Sequence, residues 1–328
     1  MPLPPSPAAR LLASLGLPTG DAHDLPPSPH RFADGAHYRV EIPSVEGPRV
    51  LAAVIEESRR RGVPIHRVSQ GSGIMLLSDA EIGEMCGMCR DARMELSLFV
   101  GPRAAWDTGA AVVSPAGRTL GAPLRGQAQV RPALDDVLRA VELGVRSVLV
   151  ADVGLLRLLD LAKQAGHLPR ELIIKISVQL AAANPLAVAV LADEGASTIN
   201  VPTDLSLAQL AAIRHQCDVP LDVYVEVPDG FGGFVRHYDI PELVHAVAPV
   251  YVKFGLRNAP DIYPSGLHLE TSATLMARER VRRAELGLGL LRRQIGGAPG
   301  DAVPPPLTMS PVGGADAPGI PVTGPTSP

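Results

Sequence analysis

Lysine is nearly absent from this 328-residue sequence: 27 of its 30 basic residues are arginine, leaving only Lys163, Lys175 and Lys253. Two of those three fall inside apolar runs of strand length, which makes them conspicuous. Cysteine is almost as scarce. Cys86, Cys89 and Cys217 cannot build a disulfide framework, so a reducing cytoplasm is the expected location. Cys86 and Cys89 form a CxxC in mid-helix with no second pair downstream, too few ligands for zinc or an iron–sulfur cluster. The nine histidines show no ligand spacing, so no metal or other cofactor is evident and a divalent ion is left open. No apolar run reaches the roughly 18 residues of a membrane span. The start, Met1-Pro-Leu-Pro-Pro-Ser-Pro, lacks the basic residues of a secretory signal. With a net charge of -4 there is no basic field for nucleic acid. HExxH, GxSxG and Walker motifs are missing, which removes the motif basis for zincins, α/β-hydrolases and nucleotide triphosphatases.

What is present reads as a globular chain, with 46% hydrophobic and 20% charged residues. Residues 1–35 form a Pro/Ala-rich leader, expected to lie across the domain or to be partly mobile. Residues 296–328 are Gly/Pro-rich with almost no large apolar side chains, and disorder is expected there. Between them, residues 36–295 alternate strand-length apolar runs with amphipathic helical stretches. Strands are predicted at Tyr38–Pro43, Pro64–Ser69, Met94–Val100, Ser147–Ala151, Leu172–Val178, Thr198–Val201, Leu221–Val227 and Val250–Phe254. From the fourth strand on, the repeat is about 25 residues. Eight such units close most simply into an α/β fold of the (β/α)8 TIM-barrel type. An open doubly wound sheet is the structural rival, but no GxGxxG follows the first strand. Residues 101–131 form a lid or insertion.

With helices outside the barrel, polar strand residues belong to the interior, and near the C-terminal strand ends they face a pocket. Period two groups Lys175, Ser177 and Gln179 on strand five, Asp222, Tyr224 and Glu226 on strand seven, and Tyr251, Lys253 and Arg257 on strand eight. Strand one adds Glu41, strand two Arg67 or His66 with Gln70, strand four Asp152 and strand six Asn200. Lys175, Lys253, Glu226 and Glu41 are the candidate catalytic groups. A desolvated lysine can be a nucleophile, a proton carrier or an anion anchor, and a neighbouring Glu its counter-ion or a general base. The alternative is a buried ion pair that fills the barrel. Arg67, Gln70, Arg103, Asp152, Gln179, Asn200, Tyr224 and Arg257 are the candidate binding residues. Two loops, Gln70–Gly73 and Pro228–Gly233, could offer backbone N–H groups to an anion or be simple tight turns. A third, Gly101–Asp107, carries Arg103 and Trp106 as a closing lid or as packing.

From strand five onward the residues resemble a known family. Lys175-Ile-Ser-Val-Gln179, Asn184, Ala187, Glu194-Gly195-Ala196 and Leu205-Ser-Leu-Ala-Gln-Leu210 are similar to the collagenase-like peptidase family U32. Tyr38–Gly47, His66–Gly73 and Val252–Pro260 resemble its actinobacterial branch. The likeness spans roughly residues 140–260 and implies a TIM-like barrel and a hydrolase. The family's cysteine signature would fall in Glu226–Tyr238, which has no cysteine, so the resemblance implies no iron–sulfur cluster here.

The sequence thus predicts an enzyme acting on a small anionic or peptide-like substrate, with rim Lys and Arg anchors and a Glu acid/base. A Lys-dependent lyase, aldolase or isomerase is the second reading, and a non-catalytic metabolite-binding barrel the third. Nucleic acid and membrane are not expected partners, and a homo-oligomer is left open.

Overall fold

The structure is a computed structural model that describes residues 5–101 and 123–295, with side chains to residue 293. Eight parallel strands close in sequence order into a barrel. They are β1 (Tyr38–Pro43), β2 (Arg67–Gln70), β3 (Glu95–Phe99), β4 (Ser147–Val150), β5 (Ile173–Ile176), β6 (Thr198–Asn200), β7 (Leu221–Glu226) and β8 (Val250–Phe254). β1 pairs with β8 through Glu41 and Lys253, which completes the (β/α)8 TIM barrel that the alternating pattern predicts. β1 and β8 match the predicted runs, and the other six strands are shorter than theirs. β2 starts at Arg67 rather than Pro64, whose missing N–H cannot enter the ladder.

The helices are α1 (Pro7–Ser14), α2 (Pro48–Arg61), α3 (Asp79–Ala92), α4 (Gln127–Glu142), α5 (Val153–Gln164), α6 (Pro185–Asp193), α7 (Leu207–Gln216), α8 (Ile240–Val247) and α9 (Glu270–Ile295). Local chemistry sets their ends. Ser78 with Glu81 and Ser206 with Gln209 form capping boxes, and Gly62 ends α2 at φ 63°. The first turn of α4 lies inside the segment expected as a lid; Arg103 and Trp106 lie outside the described residues, as does the 296–328 tail. Among the described residues no helix is long and apolar enough to cross a membrane.

Val40, Ile42, Val68, Leu98, Val148, Ile174, Val223 and Val252 point outward and join the helices in one continuous apolar layer. That arrangement forces the alternate, polar strand residues inward. The leader closes the N-terminal end of the barrel. Ser28 is tied to α8 by its N–H to His245 O at 2.9 Å. Phe32 meets Tyr251 edge-on with ring centroids 5.3 Å apart, and the Arg39 guanidinium lies 4.3 Å from the Phe32 ring. The open end is therefore the one at the C-terminal strand ends.

Candidate active site

Strand parity and register stack six charged side chains inside the barrel. Arg67 donates to Glu95 at 2.8 Å, to Asp222 at 3.0 Å and to Glu41 at 3.4 Å, and its guanidinium stacks 3.5 Å from the Tyr251 ring. Lys175 pairs with Glu41 and, at 3.2 Å, with Asp222. Lys253 pairs with Glu41 at 3.1 Å. Glu41 is the hub, touched by all three cations and by the Ser69 hydroxyl at 2.7 Å. Glu41, Arg67, Lys175 and Asp222 are each 0% exposed. Burial alone would push the Glu41 carboxyl up, but Lys175, Lys253 and Arg67 reverse this and hold it far below the usual range. Burial dominates at Lys175 and brings its ammonium down to about 8 despite Asp222 and Glu41. Three cations face three carboxylates, so the interior is electrically balanced.

Above this network lies a small cavity of about 40 Å³, opening at the C-terminal strand ends. Lys253 is its floor. Its ammonium sits 4.4 Å from the Tyr224 ring centroid and, with the Asn200 amide oxygen turned toward it, donates to Asn200 at 3.0 Å. The same amide orientation lets Asn200 donate to Asp222 O at 3.1 Å. Ser44, Ser69, Ser177 and Tyr263 add hydroxyls, Gln70 and Gln179 amides, and Leu149 and Phe231 apolar surface. Gln179 Oε1 is buried with no hydrogen-bond donor among the described residues. Backbone strain gathers at this rim: Ser44 after β1, Ala181 after β5 and Asn258 after β8 have φ of 61°, 51° and 55° without being glycine.

Of the residues singled out from the sequence, Lys253, Gln70, Gln179, Asn200 and Tyr224 come together around this cavity. Lys175, Glu41 and Arg67 lie beneath its floor in the ion network. Glu226 departs from the period-two expectation. A register shift between Tyr224 and Glu226 pairs Glu226 with Phe254, an outward residue. Its carboxylate accepts the Arg257 N–H at 3.1 Å and approaches His237 Nε2 at 3.3 Å, away from the cavity. Arg257 is on the surface with Asp229 at 3.7 Å. Asp152 caps α5, accepting from Leu155 N at 2.7 Å, and also accepts from Leu124 N at 3.0 Å.

Both glycine-rich loops use backbone N–H groups to hold their own turns. Gly71 and Ser72 donate their N–H groups to the buried Glu46 carboxylate at 2.9 and 3.0 Å, and Gly73 donates to Gln70 Oε1 at 3.1 Å. In the second loop Phe231, Gly232 and Gly233 donate to Pro228 O or Asp229 O. Those donors were consumed in shaping the turns. Tyr263 and Ser44 were not foreseen as lining. Tyr263 lies nine residues past β8 and reaches the mouth because Gly71 leaves room: a Cβ there would stand 2.5 Å from its ring. Among the described residues no cluster of His, Cys, Asp or Glu is arranged to hold a metal ion.

The closed parallel barrel with a polar cleft at its C-terminal mouth is the architecture of a TIM-barrel enzyme. Within that class the chain resembles peptidase family U32, whose model matches residues 124–227, from the approach to α4 to the end of β7. No curated protein matches the chain. The U32 peptidase Mk0906 aligns at 18% identity and a TM-score of 0.37, over 58% of this chain and 69% of its own. Thiamine phosphate pyrophosphorylase from Pyrococcus furiosus aligns at 13% identity and 0.38, over 76% and 97%. A truncated 3-deoxy-D-arabino-heptulosonate 7-phosphate synthase from Thermotoga maritima aligns at 12% and 0.40, over 78% and 89%.

Proposed function

We propose that the cavity is the substrate site of an enzyme acting on a small peptide-like or other carbonyl-bearing molecule, with the substrate oxygen on Lys253. The observation that carries this is the Lys253 ammonium at the cavity floor, fixed between Glu41 at 3.1 Å and Asn200 at 3.0 Å. Glu41 is its counter-ion, and Asn200 and the Tyr224 ring fix its direction. A preorganised cation beside a carbonyl oxygen stabilises the negative charge that develops there on attack. Resemblance to family U32 supports amide hydrolysis as the first reading. Among the described residues the lining offers no histidine or cysteine but carries the Ser44, Ser69 and Ser177 hydroxyls, so this reading uses water or a serine hydroxyl as the nucleophile. Glu41 acts through Lys253, since its own carboxylate is fully buried.

Lys253 as the single amine of the lining favours a second reading, in which it forms an iminium with a carbonyl substrate, as in lyases and aldolases. A panel of short peptides with both ends blocked, simple amides and uncharged ketones, assayed with the native protein and Lys253→Met, tests the proposal. Turnover that falls at least about a hundredfold in the folded variant, as for other electrostatic donors, supports it. Turnover unchanged by Lys253→Met rejects it, and saturable binding without turnover identifies a binding barrel. Borohydride with an uncharged ketone that the panel shows to bind separates the readings: an adduct on Lys253 selects the iminium route, and amide turnover without an adduct selects hydrolysis.

A further inference from the structure

The interior and rim together set the charge of what the cavity can take. Inside the barrel Arg67, Lys175 and Lys253 are matched by Glu41, Glu95 and Asp222, and behind the rim the buried Arg280 is offset by the buried Glu46, so among the described residues the surroundings of the cavity are close to electrically balanced. Only Lys253 reaches the cavity, and all three carboxylates lie beneath it. The network therefore presents the positive end of a dipole upward. That suits a polarised neutral oxygen, while a full anion would be desolvated without a free counter-charge. The rim gives no relief. The Gly71, Ser72 and Gly73 N–H groups are held by Glu46 and Gln70, so they are not available to an oxyanion. Gln179, also in the lining, has its Oε1 buried with no donor among the described residues. In this orientation such a group costs free energy until something supplies an N–H or O–H.

We infer that the site selects an uncharged ligand carrying both a carbonyl oxygen, taken by Lys253, and an N–H or O–H donor, taken by Gln179, and that it discriminates against anions. This rests on the reading of the cavity as the substrate site and narrows it: of the two substrate types the sequence leaves open, the anionic one is excluded. Gln179 becomes the specificity-determining residue and Lys253 the donor.

Acetamide and acetate are nearly isosteric and differ in charge and in the amide donor, so they separate these terms. Their binding, with inorganic phosphate as a third probe, is measured by ligand-observed NMR titration at neutral pH on the whole protein. Acetamide is expected to bind at least about tenfold more tightly than acetate or phosphate, the value of one satisfied buried hydrogen bond. Gln179→Leu should erase that preference, and Lys253→Met should weaken acetamide by a similar factor. Asn200→Leu probes the floor a second time and leaves all six charges in place. If acetate or phosphate binds as tightly as acetamide and loses affinity in Lys253→Met or Asn200→Leu, the site stands and the charge inference fails. If no probe binds, or binding ignores both floor variants, the site reading fails and the inference with it.

Discussion

Replacing Glu41 by glutamine removes the anion that touches all three interior cations and leaves Arg67, Lys175 and Lys253 facing only Glu95 and Asp222. Removing one partner of a buried pair generally costs about 3–5 kcal/mol. The upper half of that range applies here. Glu41 contacts Lys175 directly, Lys253 at 3.1 Å and Arg67 at 3.4 Å, and the new amide would turn an NH2 group toward one of these donors. Asp222 can compensate only through contacts it already makes to Arg67 at 3.0 Å and Lys175 at 3.2 Å. The expected loss is about 4 kcal/mol at pH 7, read from urea denaturation followed by far-UV circular dichroism. Restoring balance with Lys175→Met in the same chain should recover about 2 kcal/mol, because that ammonium is already weakened by burial and would have lost its closest partner. The pH dependence has a defined sign. The folded-state Glu41 carboxyl lies below the usual glutamate value of 4.5, so its contribution is complete above that pH and is lost as the pH falls toward the folded value. The gap between native protein and Glu41→Gln should thus stay constant from pH 7 to about pH 5 and narrow in stronger acid. A cost under about 1 kcal/mol, or strict additivity with Lys175→Met, would refute the picture of one coupled network.

Phe32→Ala should lower stability by about 3 kcal/mol, seen as a drop in Tm, because the ring is 2% exposed and plugs the closed end against Tyr251. No loss would mean that the leader only rests on the barrel. Gly255→Ala should destabilise by about 2 kcal/mol or more, since its Cβ would stand 2.6 Å from Glu226 O and 2.7 Å from Pro228; denaturation at native midpoint would contradict the close approach of β7 and β8. His37 is pushed down to about 4 by burial first and then by Arg31 and His245, from the usual imidazole value of 6.5. The unfolded chain therefore binds the proton more readily, and stability should fall as the pH drops from 6.5 to 4. Partial solvent exposure limits the loss to about 1 kcal/mol, and His37→Gln should flatten that slope; an unchanged slope would assign it to other groups.

Much of the fold was legible because an outward apolar strand face and an inward polar one leave an alternation that single residues reveal. Lys175 and Lys253 stand out by that alternation and by rarity, and both are interior. Depth inside the barrel is a different matter. It follows from the stagger between strands, so parity alone could not tell that Lys253 reaches the cavity while Lys175 and Arg67 stop beneath it. Glu226 shows how one extra residue in a ladder reverses a face: the shift after Tyr224 sends it toward His237. Asp152 looked like a site residue because it ends a strand, yet the same position begins α5, where a carboxylate serves as a cap. Tyr263 left no periodic signal, since its place depends on the space above Gly71, a contact between residues far apart in sequence.

The central claim, that the substrate oxygen sits on Lys253 at the barrel mouth, is tested most directly by a crystal structure of the protein grown with acetamide. The account predicts ordered density in the cavity, with the carbonyl oxygen within hydrogen-bonding distance of Lys253 Nζ and the amide nitrogen donating to Gln179 Oε1. Acetamide density elsewhere, with only water above Lys253, would contradict it.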